Sequence, residues 1–349
     1  MTSVRNPELI TWTVGPEDDG IRLDLAVSSS VPGCSRNTAA RLIKEGRVLV
    51  NGFEKKPGYR LSRADTVTYQ AGAAEQSSQL EAEPLDIDVV FKDRSVIVIN
   101  KPAGLVVHPA AGNYSGTLVH GLVYHFPELR SVCEQPERPG IIHRLDKDTS
   151  GLLVIARNPE SWQSLSAQFK ARSVEKTYIA FVHGSPDTDE GKITLPIRRH
   201  PVHRKKMTTE TVSGEKTRHA ETLWKVVERW RSSAMLECII KTGRTHQIRV
   251  HLSSTGHPLI GDRVYGYKNP GRQHKSDPAL AGMIAAAPRQ MLHAAKIAFS
   301  HPESGRRVFF SAPLPGDMTE LRESILRHMG RQIADPETIS TAPGHDPVF

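Results

Sequence analysis

Apolar residues recur along the chain at two spacings, and each spacing predicts a different element. From Ser35 to Gly46, Ala39, Leu42 and Ile43 fall on one face of a short helix. Ser35 is placed to cap its start, and Gly46 suits the left-handed position that ends it. Val48-Leu49-Val50 then reads as a strand and Asn51-Gly52 as a hairpin-type turn. Farther on, Ile87–Phe91 and Val96–Ile99 are β-rich runs separated by the polar turn Lys92-Asp93-Arg94-Ser95. Leu152–Ala156 predicts a third strand, Pro159–Lys170 a helix and Lys176–Val182 another strand. Thr217–Glu228 and Ser233–Ile240 suit an antiparallel pair. Strands often follow one another without an intervening helix. That order favours an α+β fold with a mostly antiparallel sheet over a doubly wound one.

The same pass suggests the domain organisation. Residues 1–19 read as an N-terminal extension and 20–72 as a small basic α/β unit. Ala71 to Pro84 holds small and polar residues with almost no large apolar ones, and residues 73–84 are taken as a flexible linker. The larger domain spans 85–328, with 267–288 as a surface insertion, polar and then rich in small residues. Residues 329–349, with Asp335-Pro336, Ala342-Pro343-Gly344 and Asp346-Pro347, read as a disordered tail.

A length of 349 residues fits two domains at roughly 150 residues each. Mean hydropathy of -0.39 describes a soluble surface. No apolar run approaches the ~18 residues of a membrane span. Met1–Trp12 has a lone Arg5 and no apolar stretch of the signal-peptide kind. Cys34, Cys133 and Cys238 are odd in number and lack Cys-x-x-Cys spacing, so a cytoplasmic chain without a disulfide framework is expected. The chain is expected to act as a monomer, away from membranes.

Charge adds a partner. The formal net charge is +8, and residues 21–69 carry nine Lys/Arg against four Asp/Glu. Arg36, Arg41 and Lys44 on the predicted helix are available for phosphates. A second run, Arg198-Arg199-His200 with His203-Arg204-Lys205-Lys206, holds five fixed positive charges and no acid. Its expected role is to track phosphates.

Cofactor motifs are missing. Gly191-Lys192 is followed by Ile193 and is no phosphate loop, and no Gly-x-Gly-x-x-Gly follows a strand. His246 and His251 are five apart, on different faces of a helix and opposite faces of a strand. Asp146-Lys147-Asp148 has the Asp-x-Asp form of metal-dependent glycosyltransferases, but Lys147 and the lack of a nucleotide site weaken that reading. Neither a metal nor a cofactor is expected.

Two polar clusters remain. Gly140 to Gly151 packs His143, Arg144, Asp146, Lys147, Asp148, Thr149 and Ser150 into a loop between apolar runs. Thr242-Gly243-Arg244-Thr245-His246-Gln247-Ile248-Arg249 follows a strand, and Thr245 is placed to cap a helix running to about Thr255, with Gly256 at its end. Arg244 would then sit just before a helix N-terminus, a favourable place for reaching an anion.

The first cluster, HRLDKDTSG, closely resembles the active-site motif of pseudouridine synthases of the RluA type, which modify structured RNA. Asn100 to Pro109, Lys176 to Ala180 with Gly184, and TGRTHQIRVHL followed by Gly256 to Asp262 fall in that family's order. His293-Ala294 and His301-Pro302 complete the pattern, which spans about Pro84 to Pro315. Ile21-Arg22-Leu23-Asp24 and Ser35-Arg36 through Val50-Asn51-Gly52 resemble an S4 RNA-binding domain.

The resemblance implies isomerisation of uridine to pseudouridine in large-subunit ribosomal RNA or an assembling large subunit. A transfer-RNA synthase of the same family and a non-catalytic assembly factor are the alternatives. It makes Asp146 the carboxylate acting beside C1′, with Arg244 paired to it. Tyr178 becomes the aromatic that stacks on uracil and takes part in proton transfer at C5. Arg144 enters the space vacated by the flipped base. Lys101, His143 and Thr149 are supporting motif residues, and Arg249, ranked below Arg244, would hold the loop or touch phosphate.

Overall fold

The computed structural model describes residues 8–31, 34, 36–71, 80–110, 112–133, 137–203, 206–211, 214, 216–267, 274 and 276–330. The Ser35 cap, Arg204, Lys205, most of the linker and the tail beyond Gly330 lie outside the described residues. The chain divides into two compact units, Met1–Leu80 and Glu81–Phe349.

The first unit comprises β1 (Glu8–Thr13), α1 (Leu23–Ser30), α2 (Arg36–Lys44), β2 (Val48–Val50), β3 (Phe53–Glu54) and β4 (Thr66–Ala71). Its sheet runs β1-β4-β2-β3. The helical spacing turns Ala39, Leu42 and Ile43 inward, where they join Leu23, Val27, Val48, Val50 and Val67 in one core. Asn51 and Gly52 both have positive φ, 53° and 79°, the backbone of the tight hairpin turn expected there. Residues 8–13, read from sequence as part of an extension, instead form the edge strand of this sheet, paired residue for residue with β4. Leu9, Ile10, Thr11 and Thr13 are exposed and only Trp12 is half-buried, so the strand carries no apolar alternation to read.

The second unit contains β5 (Val89–Lys92), β6 (Val96–Lys101), α3 (Leu118–His125), β7 (Ser150–Ala156), α4 (Pro159–Ala171), β8 (Glu175–His183) and β9 (Glu190–Ile193). A short hairpin, β10 (Arg198–Arg199) and β11 (Met207–Thr208), precedes β12 (Thr222–Trp230) and β13 (Ser233–Ile240). Then come α5 (Gln247–Ser254), α6 (Pro278–Ala285), β14 (Leu292–Ser300), β15 (Arg307–Ser311) and α7 (Gly316–His328).

Nine of these strands form one sheet, ordered β5-β6-β7-β14-β8-β13-β12-β9 with β15 beside β14. Its pairings are antiparallel except β7 with β14. Both faces are covered, as β8 shows by its period of two. Tyr178, Ala180 and Val182 pack with Leu165, Ile248 and Leu252, whereas Ile179 and Phe181 pack with Leu280, Ile284, Met318 and Ile325. This corrects the surface insertion expected at 267–288 for the part from 276 onward. Its small residues hid a helix, α6, whose Leu280 and Ile284, four apart on one face, are buried against α7.

Candidate active site

Two conformational demands place Asp146. Gly151, the second residue of β7, has φ +112°, and a Cβ there would lie 2.3 Å from the Ala294 carbonyl oxygen. Only glycine lets β7 approach β14 so closely. Upstream, the loop folds back along β7. Ile141 bridges Ile155, and the bare Nε2 of His143 accepts the Val154 N–H at 3.0 Å. The His143 ring stacks on Phe169 with centroids 4.6 Å apart. Burial, then the Lys176 charge, pushes its pKa down to about 3, so it stays neutral.

The tip of the loop is pinned from two sides. Lys101 is fully buried, and its ammonium donates to the carbonyls of Pro102, Leu105 and Lys147 at 2.7, 2.8 and 3.0 Å. Arg289 donates to the Asp148 carbonyl at 3.0 Å while its other nitrogens grip Asp317. Between them the Thr149 N–H closes a turn on the Asp146 carbonyl at 3.1 Å.

The Asp146 carboxylate meets Arg249 rather than Arg244. Arg249 Nη1 lies 2.9 Å from Asp146 Oδ2, while its Nε and Nη2 bind both oxygens of Asp262 at 2.7 and 3.0 Å. Burial alone would weaken the Arg249 charge, but Asp262 and Asp146 outweigh it and raise its pKa. The expected Arg244–Asp146 pair is corrected for a local reason. Thr245 does not cap α5; His246 occupies the N-cap in the left-handed region, φ 56°. The helix therefore starts one residue later, Arg249 turns inward, and Arg244 Nε donates to the His219 carbonyl at 3.1 Å. Gly256, φ +85°, follows the helix end as expected.

Tyr178, Arg144, His143, Thr149, Arg244 and Arg249 do converge with Asp146 on one cleft of about 540 Å³. Tyr178 forms its wall. Burial, then the Asp146 charge, pushes its phenol above the ordinary value, so the hydroxyl keeps its proton. Arg144 is exposed at the rim. Four cations not singled out in the sequence, Lys170, Arg172, Lys176 and Lys241, also line the cleft, where Asp146 is the one carboxylate among the described lining residues. Lys176 was findable: it lies two residues before Tyr178, on the same face of β8. Burial and the neighbouring Lys241 charge lower its pKa to about 8. Burial, then Arg218 and Arg172, lowers that of Arg244. Like charges gathered this way favour an anionic ligand.

The outlying basic residues divide. Arg41 and Lys44 are exposed on α2, and Arg36 spends its Nε on Asp24 at 3.1 Å. In the hairpin, Arg199 is exposed and Lys206 half-buried, but Arg198 is buried and donates to the Glu210 carbonyl at 2.6 Å. Arg198 is thus a brace for the hairpin, not a free charge. Alternation turns it inward and Arg199 outward.

Comparison with known proteins gives the family. Residues 95–254 match the RNA pseudouridylate synthase family and residues 21–67 the S4 domain family. A protein of Nitrosomonas europaea named ribosomal large subunit pseudouridine synthase D is 39% identical over 323 residues, 93% of this chain and 90% of that one. One of the same name from Neisseria meningitidis is 42% identical over 318 residues, covering 91% and 82%. The solved structure of human RNA pseudouridylate synthase domain containing 1 is 25% identical, with a TM-score of 0.51, over 70% of this chain and 96% of that one. With relatives of about 40% identity over most of its length and both family models matched, the chain belongs to the RNA pseudouridylate synthase family and carries an S4 domain.

Proposed function

We propose that this chain isomerises specific uridines of large-subunit ribosomal RNA to pseudouridine, with Asp146, Tyr178 and Arg249 as its chemical core. The observation that carries the reading is the single carboxylate, gripped by Arg249, at the floor of a cleft otherwise rimmed by cations. The reaction breaks the N1–C1′ bond, turns the uracil and rejoins it through C5, so nothing is oxidised and no group is imported. Asp146 acts beside C1′, as nucleophile or as base toward the sugar, and Arg249 holds its Oδ2 in place at 2.9 Å. The protonated Tyr178 offers a stacking face and a hydroxyl for proton movement at C5. Arg144 at the rim suits the gap left by the flipped nucleotide.

The basic rim and the exposed Arg41 and Lys44 supply sequence-independent affinity. Arg244 belongs with the phosphate-binding groups in this reading. The names of the relatives support ribosomal over transfer RNA, and with it a cytoplasmic site of action. Asp146, Tyr178 and Arg249 come from one chain, which supports action as a monomer.

The test is chemical mapping of pseudouridine in protein-free large-subunit RNA and in transfer RNA, each incubated with the purified chain. New pseudouridine in the ribosomal transcript is expected. Modification of transfer RNA alone would overturn the substrate, and modification of neither would leave an assembly factor.

A further inference from the structure

The phenol of Tyr265 stands between two groups. The Met207 N–H donates to its oxygen at 2.7 Å, and His246 Nδ1 lies 2.8 Å from the same oxygen. A phenol has one hydrogen to give; the Met207 N–H takes only a lone pair of the oxygen, which leaves that hydrogen available to Nδ1. Four charged groups act on the His246 ring: Asp146 and Asp262 favour its protonation, Arg249 and Arg144 oppose it. Burial is the largest influence and lowers the pKa, so the ring is neutral at neutral pH. A neutral imidazole that accepts at Nδ1 carries its hydrogen on Nε2.

That Nε2 lies 3.8 Å from Asp146 Oδ2, the oxygen Arg249 already binds at 2.9 Å. Two donors thus approach one carboxylate oxygen from α5, and Oδ1 has no hydrogen-bond partner among the described residues. His246 sits in a left-handed backbone, φ 56°, which a residue with a Cβ adopts only against strain. The face of Tyr265 also carries the Arg249 guanidinium, 5.2 Å from the ring centre.

We propose that His246 is a positioning residue: fixed as the Nε2–H tautomer by Tyr265, it joins Arg249 in anchoring Oδ2 of Asp146, so that Oδ1 alone meets C1′ of the bound uridine. The inference rests on Asp146 being the reacting carboxylate. The gap of 3.8 Å closes when the nucleotide displaces water from the cleft, since such contacts tighten in the substrate complex. Met207 opens β11, so the basic hairpin is one hydrogen bond from this relay.

Full-length His246→Ala, His246→Gln and Tyr265→Phe test it, through kcat and KM on the ribosomal transcript and ¹⁵N spectra of labelled histidine. His246→Ala is expected to lower kcat on the order of ten- to a hundredfold, the scale of a slightly misplaced reacting group, with KM within about twofold. His246→Gln, whose amide N–H reaches the same point, recovers most of the loss. Wild-type spectra show His246 as Nε2–H, and Tyr265→Phe shifts them toward the other tautomer while lowering kcat. An Nδ1–H signal in the wild type, full activity of His246→Ala, or equal loss in the Ala and Gln variants overturns the proposal. If His246→Ala fails to fold, the Gln and Phe variants and the wild-type spectrum still decide. An active Asp146→Asn enzyme would instead remove the premise; an inactive one beside an unimpaired His246→Ala removes only the role of His246.

Discussion

Arg249 divides one guanidinium between two carboxylates: Nη1 holds Asp146 at 2.9 Å, and Nε and Nη2 hold the buried Asp262. Asp262 in turn accepts the N–H groups of Val264 and Tyr265 at 2.8 and 3.0 Å. Burial opposes its charge, yet Arg249 and these N–H groups keep its carboxyl below the usual range. The arginine is therefore oriented from behind and reaches Asp146 with its remaining arm.

Asp146→Asn is expected to abolish isomerisation and leave RNA affinity within about twofold, because affinity comes mainly from phosphate contacts elsewhere. Turnover assays beside filter binding check it. Measurable turnover by this variant on its natural RNA would defeat the assignment.

Arg249→Lys keeps the charge but loses the fork that serves both carboxylates. Leaving Asp262 buried and poorly paired is expected to cost about 3–5 kcal/mol of stability, together with most of kcat. Arg244→Gln, by contrast, changes stability by less than about 0.5 kcal/mol and raises KM. Denaturant unfolding and steady-state kinetics separate the two. Equal destabilisation by both would contradict the structure.

Lys176 carries a pH signature. Its pKa, about 8, lies below the ordinary lysine value, so the ammonium that lines the cleft is present below that pH and lost above it. RNA affinity should therefore weaken as pH rises through about 8, and Lys176→Arg, always charged, should flatten that limb. Phosphate binding favours the charged form, so the midpoint in the complex lies higher. Binding isotherms at fixed salt across the range would reveal a flat wild type if Lys176 is irrelevant.

Replacing Arg41 and Lys44 with Gln should reduce the salt dependence of RNA binding by about one unit of slope per residue, with kcat at saturating RNA unchanged. An unchanged slope would remove the helix α2 surface from the RNA contacts.

Local features were legible before any coordinates. The inward face of α2, the turn at Asn51-Gly52, strand β13 and the identity of the Asp146 loop all follow from neighbours a few residues apart. Hydrophobic period, turn chemistry and motif are properties of that range. The basic surface was legible too, except where alternation turned Arg198 inward to the Glu210 carbonyl.

Tertiary structure decided what depends on distant segments. Asp146 and Arg249 are 103 residues apart, and whether 244 or 249 reaches the carboxylate turns on where α5 begins, which the left-handed His246 sets. Lys101 and Arg289 brace the loop only because β6 and the segment before β14 flank β7. The same holds for Leu280 and Ile284, whose burial needs the far end of the chain, α7, to pack on them. A sequence displays which groups are available; it cannot display which carbonyl or carboxylate stands 3 Å away once loops have closed, because that is a sum of packing choices made across the sheet.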